Sequence, residues 1–146
     1  MRGIASGDVP MTNVIEVLLA RGLEVIPTIL GHQDRNPAAA TLGSFSRRHW
    51  GWKMAAMPDA SELFALYPLA LAWSIDHPAN RWHGRAELVD AVADGLACWC
   101  ALQHSDGSFD QVFPHEHSVG ATSYTLLAVL EALALLGGSL PAPLVR

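Results

Sequence analysis

Charge is scarce in this chain. Asp, Glu, Lys and Arg make up 16% of its 146 residues, against about 25% in an average soluble domain. Nine basic residues face fourteen acidic ones, giving a formal net charge of -5. That balance supplies no basic face to neutralise phosphates, which argues against a general nucleic-acid binder. Cysteine is nearly absent. Cys98 and Cys100 sit two apart in a segment of helical character, where they face different ways and cannot bridge. They read as two buried thiols in a reducing compartment. Long apolar runs are missing too. The longest, residues 126–136, contains Glu131 and is too short to span a bilayer. The first ten residues lack the basic-then-apolar order of a secretory signal. The expectation is a cytoplasmic protein with no membrane partner.

What is present is apolar mass. Hydrophobic residues form 51% of the chain, enough for the core of one domain. The excess also points to apolar surface that meets a partner chain or a missing part of the domain. Periodicity predicts helices. Thr12 and Asn13 suit the cap of a first helix that stops at Gly22. Residues 23–30, with Pro27, read as a strand or a broken helical turn. Residues 31–57 form a long irregular loop of the kind that often faces a substrate. A second helix starts at the capping-box pair Asp59 and Glu62, runs to about Asp76, and should kink at Pro68. A third spans about 85–103, with Leu88, Val92, Leu96 and Trp99 at helical spacing. A fourth starts at the cap residue Ser118 and ends at Gly137-Gly138. It is apolar nearly all round, which predicts burial on most sides. The tail, 139–146, should fray. The fold class is therefore all-α, with helical hairpins alternating a half-wet helix and an apolar one.

Three polar clusters could carry chemistry. The first runs from Gln103 to Asp110 around the turn dipeptide Asp106-Gly107. Trp99, Gln103 and Phe109 about that turn resemble the QW-type motif of terpenoid-cyclase-like α/α-toroids, with Phe where Trp is usual. The role implied there is structural: the amide satisfies helix-end groups and the aromatic stacks on the turn. The second is Pro114-His115-Glu116-His117-Ser118, just before the apolar helix. A helix start favours anions. His117 suits acid–base work, and Glu116 with Asp110 could form a hydrolytic carboxylate pair. Structural capping is the competing reading for both carboxylates. His104, His115 and His117, with Asp106 or Asp110, offer nitrogen and oxygen ligands. Their spacing matches no firm zinc signature, so no metal and no cofactor is expected from it. The third cluster is Arg35, Phe45, Arg47, Trp50, Trp52 and Lys53. Trp faces suit sugar rings, and Arg forks suit carboxylates. The rival reading packs these Trp rings onto the fold. Trp73, Trp82 and Trp99 read as packing residues.

Several segments together resemble bacterial proteins related to heparinase II/III and found with polysaccharide genes. They are Gln33-Asp34-Arg35, Trp50-Gly51-Trp52-Lys53 and Asn80-Arg81-Trp82-His83-Gly84. Asp106-Gly107-Ser108-Phe109-Asp110, Glu116-His117-Ser118 and Thr122 complete the set. The likeness covers about three-quarters of the chain, and its second half is the more specific. His115 stands where that family usually has Asn. The resemblance implies part of an α/α-toroid and action on an acidic polysaccharide by β-elimination or hydrolysis. In a lyase His117 or Tyr124 would be the base, and Arg35 or Arg47 would neutralise the uronate carboxylate. A complete toroid has many more helices, so a second chain or copy is the expected partner. The alternatives are a non-catalytic carbohydrate-binding or assembly module and, behind it, a terpenoid-cyclase-like protein. No acidic run suited to a magnesium diphosphate favours the last.

Overall fold

The computed structural model describes residues 11–45 and 58–141, without the side chains of 11–13. The structure is all-α. Among the described residues four helices follow in order: α1 (Met11–His32), α2 (Leu66–Ser74), α3 (Ala86–Leu102) and α4 (Val119–Leu136). Two 3-10 segments, Ala60–Ala65 and Gly137–Ser139, flank α2 and close α4. The caps expected at Thr12 and Asn13 fall on side chains outside the described set.

α2 lies at the centre. Its Leu66, Leu69 and Ala70 are sealed from solvent, and it packs against α1, α3 and α4. Asp59 begins this hairpin as expected: its carboxylate accepts the N–H of Ser61. The first turns are 3-10 rather than α, and the α-helix proper begins at Leu66. Pro68 therefore falls in the first turn of α2, a position that proline tolerates.

α1 differs from expectation. It runs unbroken through Gly22 and Pro27 for 22 residues. A mid-helix glycine costs only about 1 kcal/mol. Ile26 and Leu30 bury on the core, with Leu23 and Ile29 packed beside them. That anchoring outweighs the local breakers.

Residues 33–45 are a closely tied loop and not a free arm. The buried Gln33 amide donates to the Ala91 carbonyl of α3 at 2.7 Å. Gly43, at φ +84, lies so close to α3 that a Cβ would meet the Asp94 carbonyl oxygen at 2.1 Å. Only glycine meets both conditions.

α4 corrects the expectation of burial on most sides. Its buried stripe is Ala121, Thr125, Ala128, Val129, Ala132 and Leu136. Its bulky Tyr124, Leu126, Leu127 and Leu130 are exposed. The small face packs against α2 and the 3-10 segment before it, since small side chains allow close approach. The helix has polar or charged interruptions at Ser123, Thr125 and Glu131. Even so, Val119–Ser139 is long and apolar enough to cross a membrane by length and composition. One such helix is weak evidence for a span, because core helices pass the same test.

The turn after α2 is held by one side chain. Asn80 is buried. Its Nδ2 donates to the carbonyls of Ala72 at 2.7 Å and Ile75 at 2.8 Å, and its Oδ1 accepts the Trp82 N–H at 3.0 Å. Gly84, at φ +67, returns an N–H to the Trp73 carbonyl. Removing Asn80 leaves these buried groups unpaired. Asn80→Ala should lower the unfolding free energy by roughly 2–3 kcal/mol, read from denaturant curves. A loss below about half a kcal/mol would contradict this account of the turn.

Candidate functional site

Residues 103–118 join α3 to α4, and two anchors shape them. Phe109 is sealed in the interior. Its ring stacks on Trp99 of α3 with centroids 4.8 Å apart. Trp99 donates its indole N–H to the buried Thr125 hydroxyl of α4 at 2.9 Å. The backbone of Phe109 also bridges to Ser118, the residue whose side chain caps α4. Gln103 reaches back to the Gly107 carbonyl at 3.3 Å. These contacts support the structural reading of the turn.

The second anchor is a pair of carboxylates turned onto the backbone. Glu116 accepts the N–H groups of Gln111, Val112 and Phe113, the shortest at 2.6 Å. Asp110 accepts the N–H groups of His115 at 2.9 Å and His117 at 3.1 Å. His115 and His117 both hold left-handed backbone, at φ 62 and 49. Non-glycine residues adopt it at a cost of order 1 kcal/mol or more, which the Asp110 bonds offset.

The electrostatics follow from this geometry. Hydrogen bonds from the Val112 N–H, then Phe113 and Gln111, hold the Glu116 carboxyl below its ordinary range against slight desolvation and the nearby Asp110 charge. Partial burial pushes Asp110 upward. The His104 imidazole and the N–H groups of His115 and His117 outweigh it and bring the carboxyl down to about 2. Asp106 is lowered chiefly by the Ser108 hydroxyl. Neither Glu116 nor Asp110 is thus arranged to hold a proton for a leaving group, and both are committed to shaping the loop.

The histidines present themselves differently. His117 Nδ1 meets the Ser108 hydroxyl at 2.6 Å and an Asp106 oxygen at 3.2 Å. Its ring is thereby oriented with Nε2 directed away from those partners. His104 Nε2 is shut off from solvent, and Asp110 Oδ1 lies 2.9 Å from it. That contact is an ion-pair approach and not an in-line hydrogen bond. The His104 ring lies 4.5 Å from that of His117 and 6.0 Å from that of His115. His104, His115 and His117 each offer a ligating nitrogen, and these atoms lie within 4.8 Å of one another. A shallow depression lined by Pro58, Ala60, Leu102 and Asp110 adjoins the loop.

The other expected site residues divide. Tyr124 is exposed on α4, its ring edge-on to Phe64. Arg35 approaches Glu87 at the N-terminal end of α3, at 3.9 Å. The histidines follow the C-terminal end of the same helix, on the order of 20 Å away at 1.5 Å per residue. The structure does not bring Arg35 and His117 together. Arg47, Trp50, Trp52 and Lys53 lie outside the described residues. Trp73, Trp82 and Trp99 pack against the core as expected. Cys98 and Cys100 are free thiols; Cys98 is buried as expected, whereas Cys100, two residues on along α3, faces outward and is exposed. Burial, then the nearby Asp34 charge, pushes Cys98 up to about 11.

No family model, curated protein or solved structure matches the chain.

The Asp110 anchor has a pH signature. Its carboxyl is lowered in the folded chain, so its stabilising effect is complete above the ordinary value near 3.8 and is lost as pH falls through about 2. The backbone amide shifts of His115 and His117, followed by NMR on acidification, should move together with a midpoint near 2. A midpoint near the ordinary carboxylate value would contradict the arrangement.

Proposed function

We propose that the chain is a carbohydrate-active protein of the cytoplasm, part of an α/α-toroid, acting on an acidic polysaccharide by β-elimination at the loop between α3 and α4. The observation that carries this reading is the setting of His117. A carboxylate and a hydroxyl hold its Nδ1, which fixes the tautomer and presents Nε2 as a base. In an elimination Nε2 takes the proton from the carbon beside the uronate carboxylate. The electron pair left behind forms a double bond to the neighbouring carbon. The glycosidic C–O bond there breaks, and solvent protonates the departing oxygen. Hydrolysis is less well supported, because Asp110 and Glu116 are bound to backbone N–H groups. Of the two cations considered for the uronate, Arg35 sits at the far end of α3, away from His117.

A second reading is a non-catalytic binding or assembly module. The exposed Tyr124, Leu126, Leu127 and Leu130 on α4 favour it, since a bulky apolar face beside a small buried one suits a further layer of helix.

The test is release of unsaturated uronate, read by ultraviolet absorbance, from a panel of acidic polysaccharides. His117→Ala should lower turnover by at least about 100-fold with helicity unchanged. Glu116→Gln keeps an acceptor for the loop amides and should retain most of it. Loss of activity in Glu116→Gln with His117→Ala unaffected would contradict the assignment, and new reducing ends released without ultraviolet absorbance would transfer the chemistry to hydrolysis. No turnover by the native chain would leave the assembly reading.

A further inference from the structure

We propose that His104, His115 and His117 form a binding site for one divalent transition-metal ion of the zinc class. This goes beyond the elimination reading and stands independently of it.

The ligand set is the first support. Three imidazoles suit zinc, with a fourth position left for water or a ligand. Their nitrogens already lie within 4.8 Å of one another. Tetrahedral zinc with bonds of about 2.0–2.1 Å needs them roughly 3.4 Å apart. The remaining closure is a small rotation of side chains, of which His115 and His117 are exposed.

The surroundings are the second support. Metal-bound histidines usually turn their other ring nitrogen to a carboxylate, which orients the ring and raises its basicity. Asp106 stands 3.2 Å from Nδ1 of His117, and Asp110 stands 2.9 Å from Nε2 of His104. Two carboxylates beside the three imidazoles also balance a doubly charged cation, which answers the electrostatic cost of bringing it there.

The backbone is the third. His115 and His117 are the two non-glycine residues with left-handed φ among the described residues. Asp110 binds both of their N–H groups. One side chain thus fixes the two strained positions that bring their rings to His104. Capping α4 does not require this, because the Ser118 hydroxyl already accepts the Ala121 N–H.

The experiment titrates the full chain with zinc chloride by calorimetry and with cobalt chloride by visible absorption. One ion per chain should bind, with the intense d–d bands of tetrahedral cobalt and no thiolate charge-transfer band. His115→Ala and His117→Ala, at exposed positions, should each weaken zinc at least about tenfold, and Asp106→Asn about tenfold. His83→Ala, remote from the loop, should change nothing. Circular dichroism checks that each variant remains helical. Absence of tetrahedral bands, binding insensitive to both histidine variants, or a signal lost in Cys100→Ser would overturn the proposal.

Discussion

The stack of Phe109 on Trp99, with the indole tied to Thr125, is the contact on which the second half of the chain depends. It joins three elements at once: α3 through Trp99, the connecting loop through Phe109, and α4 through Thr125. The loop has little else to bury. Residues 111–117 are largely polar or exposed, and none is fully buried. A sealed aromatic near the start of such a loop fixes its path, and hydrogen bonds from Asp110 and Glu116 then set its turns. Aromatic pairs contribute about 0.5–1.5 kcal/mol beyond the area they bury. Here the larger consequence is positional, because the backbone of Phe109 is what pairs with the cap of α4.

α4 shows a second constraint. It places Ala121, Ala128 and Ala132 inward and Leu126, Leu127 and Leu130 outward. In an isolated domain the opposite assignment would bury more apolar surface. The close approach of α4 to α2 and to the 3-10 segment before it leaves no room for leucine at Ala121, Ala128 or Ala132, all fully sealed. The outward leucines are thus surplus to this core, as the apolar-rich composition suggested.

Much of this was legible in the sequence. The bounds of α3 and α4 followed from Leu88, Val92 and Leu96 at helical spacing and from Ser118 as a cap. The structural turn followed from Gln103, Gly107 and Phe109. α1 was misread because Gly22 and Pro27 are local signals, whereas Ile26 and Leu30 answer to a tertiary core. The burial of α4 was misjudged because hydropathy does not distinguish a face that packs from one that does not. Among the site residues, Glu116 and Asp110 carry the right chemistry for acid–base work. Only their partners, a set of backbone N–H groups, reveal what they hold. The convergence of His104, His115 and His117 had no spacing signature, because it depends on left-handed backbone at two histidines. Apart from glycine, residue type gives only a weak sign of that conformation, an enrichment of asparagine, aspartate and histidine.

The central claim is that the loop between α3 and α4 is a fixed scaffold, held by the Phe109 clasp and by two carboxylates on its backbone. Hydrogen exchange of the native chain, resolved by residue, tests this most directly. The account predicts slowed exchange at the amides of Val112, His115, His117 and Ser118, each a donor within the scaffold, and fast exchange at Glu116, for which no acceptor is seen. Uniformly fast exchange across these amides, with α3 and α4 still protected, would contradict it.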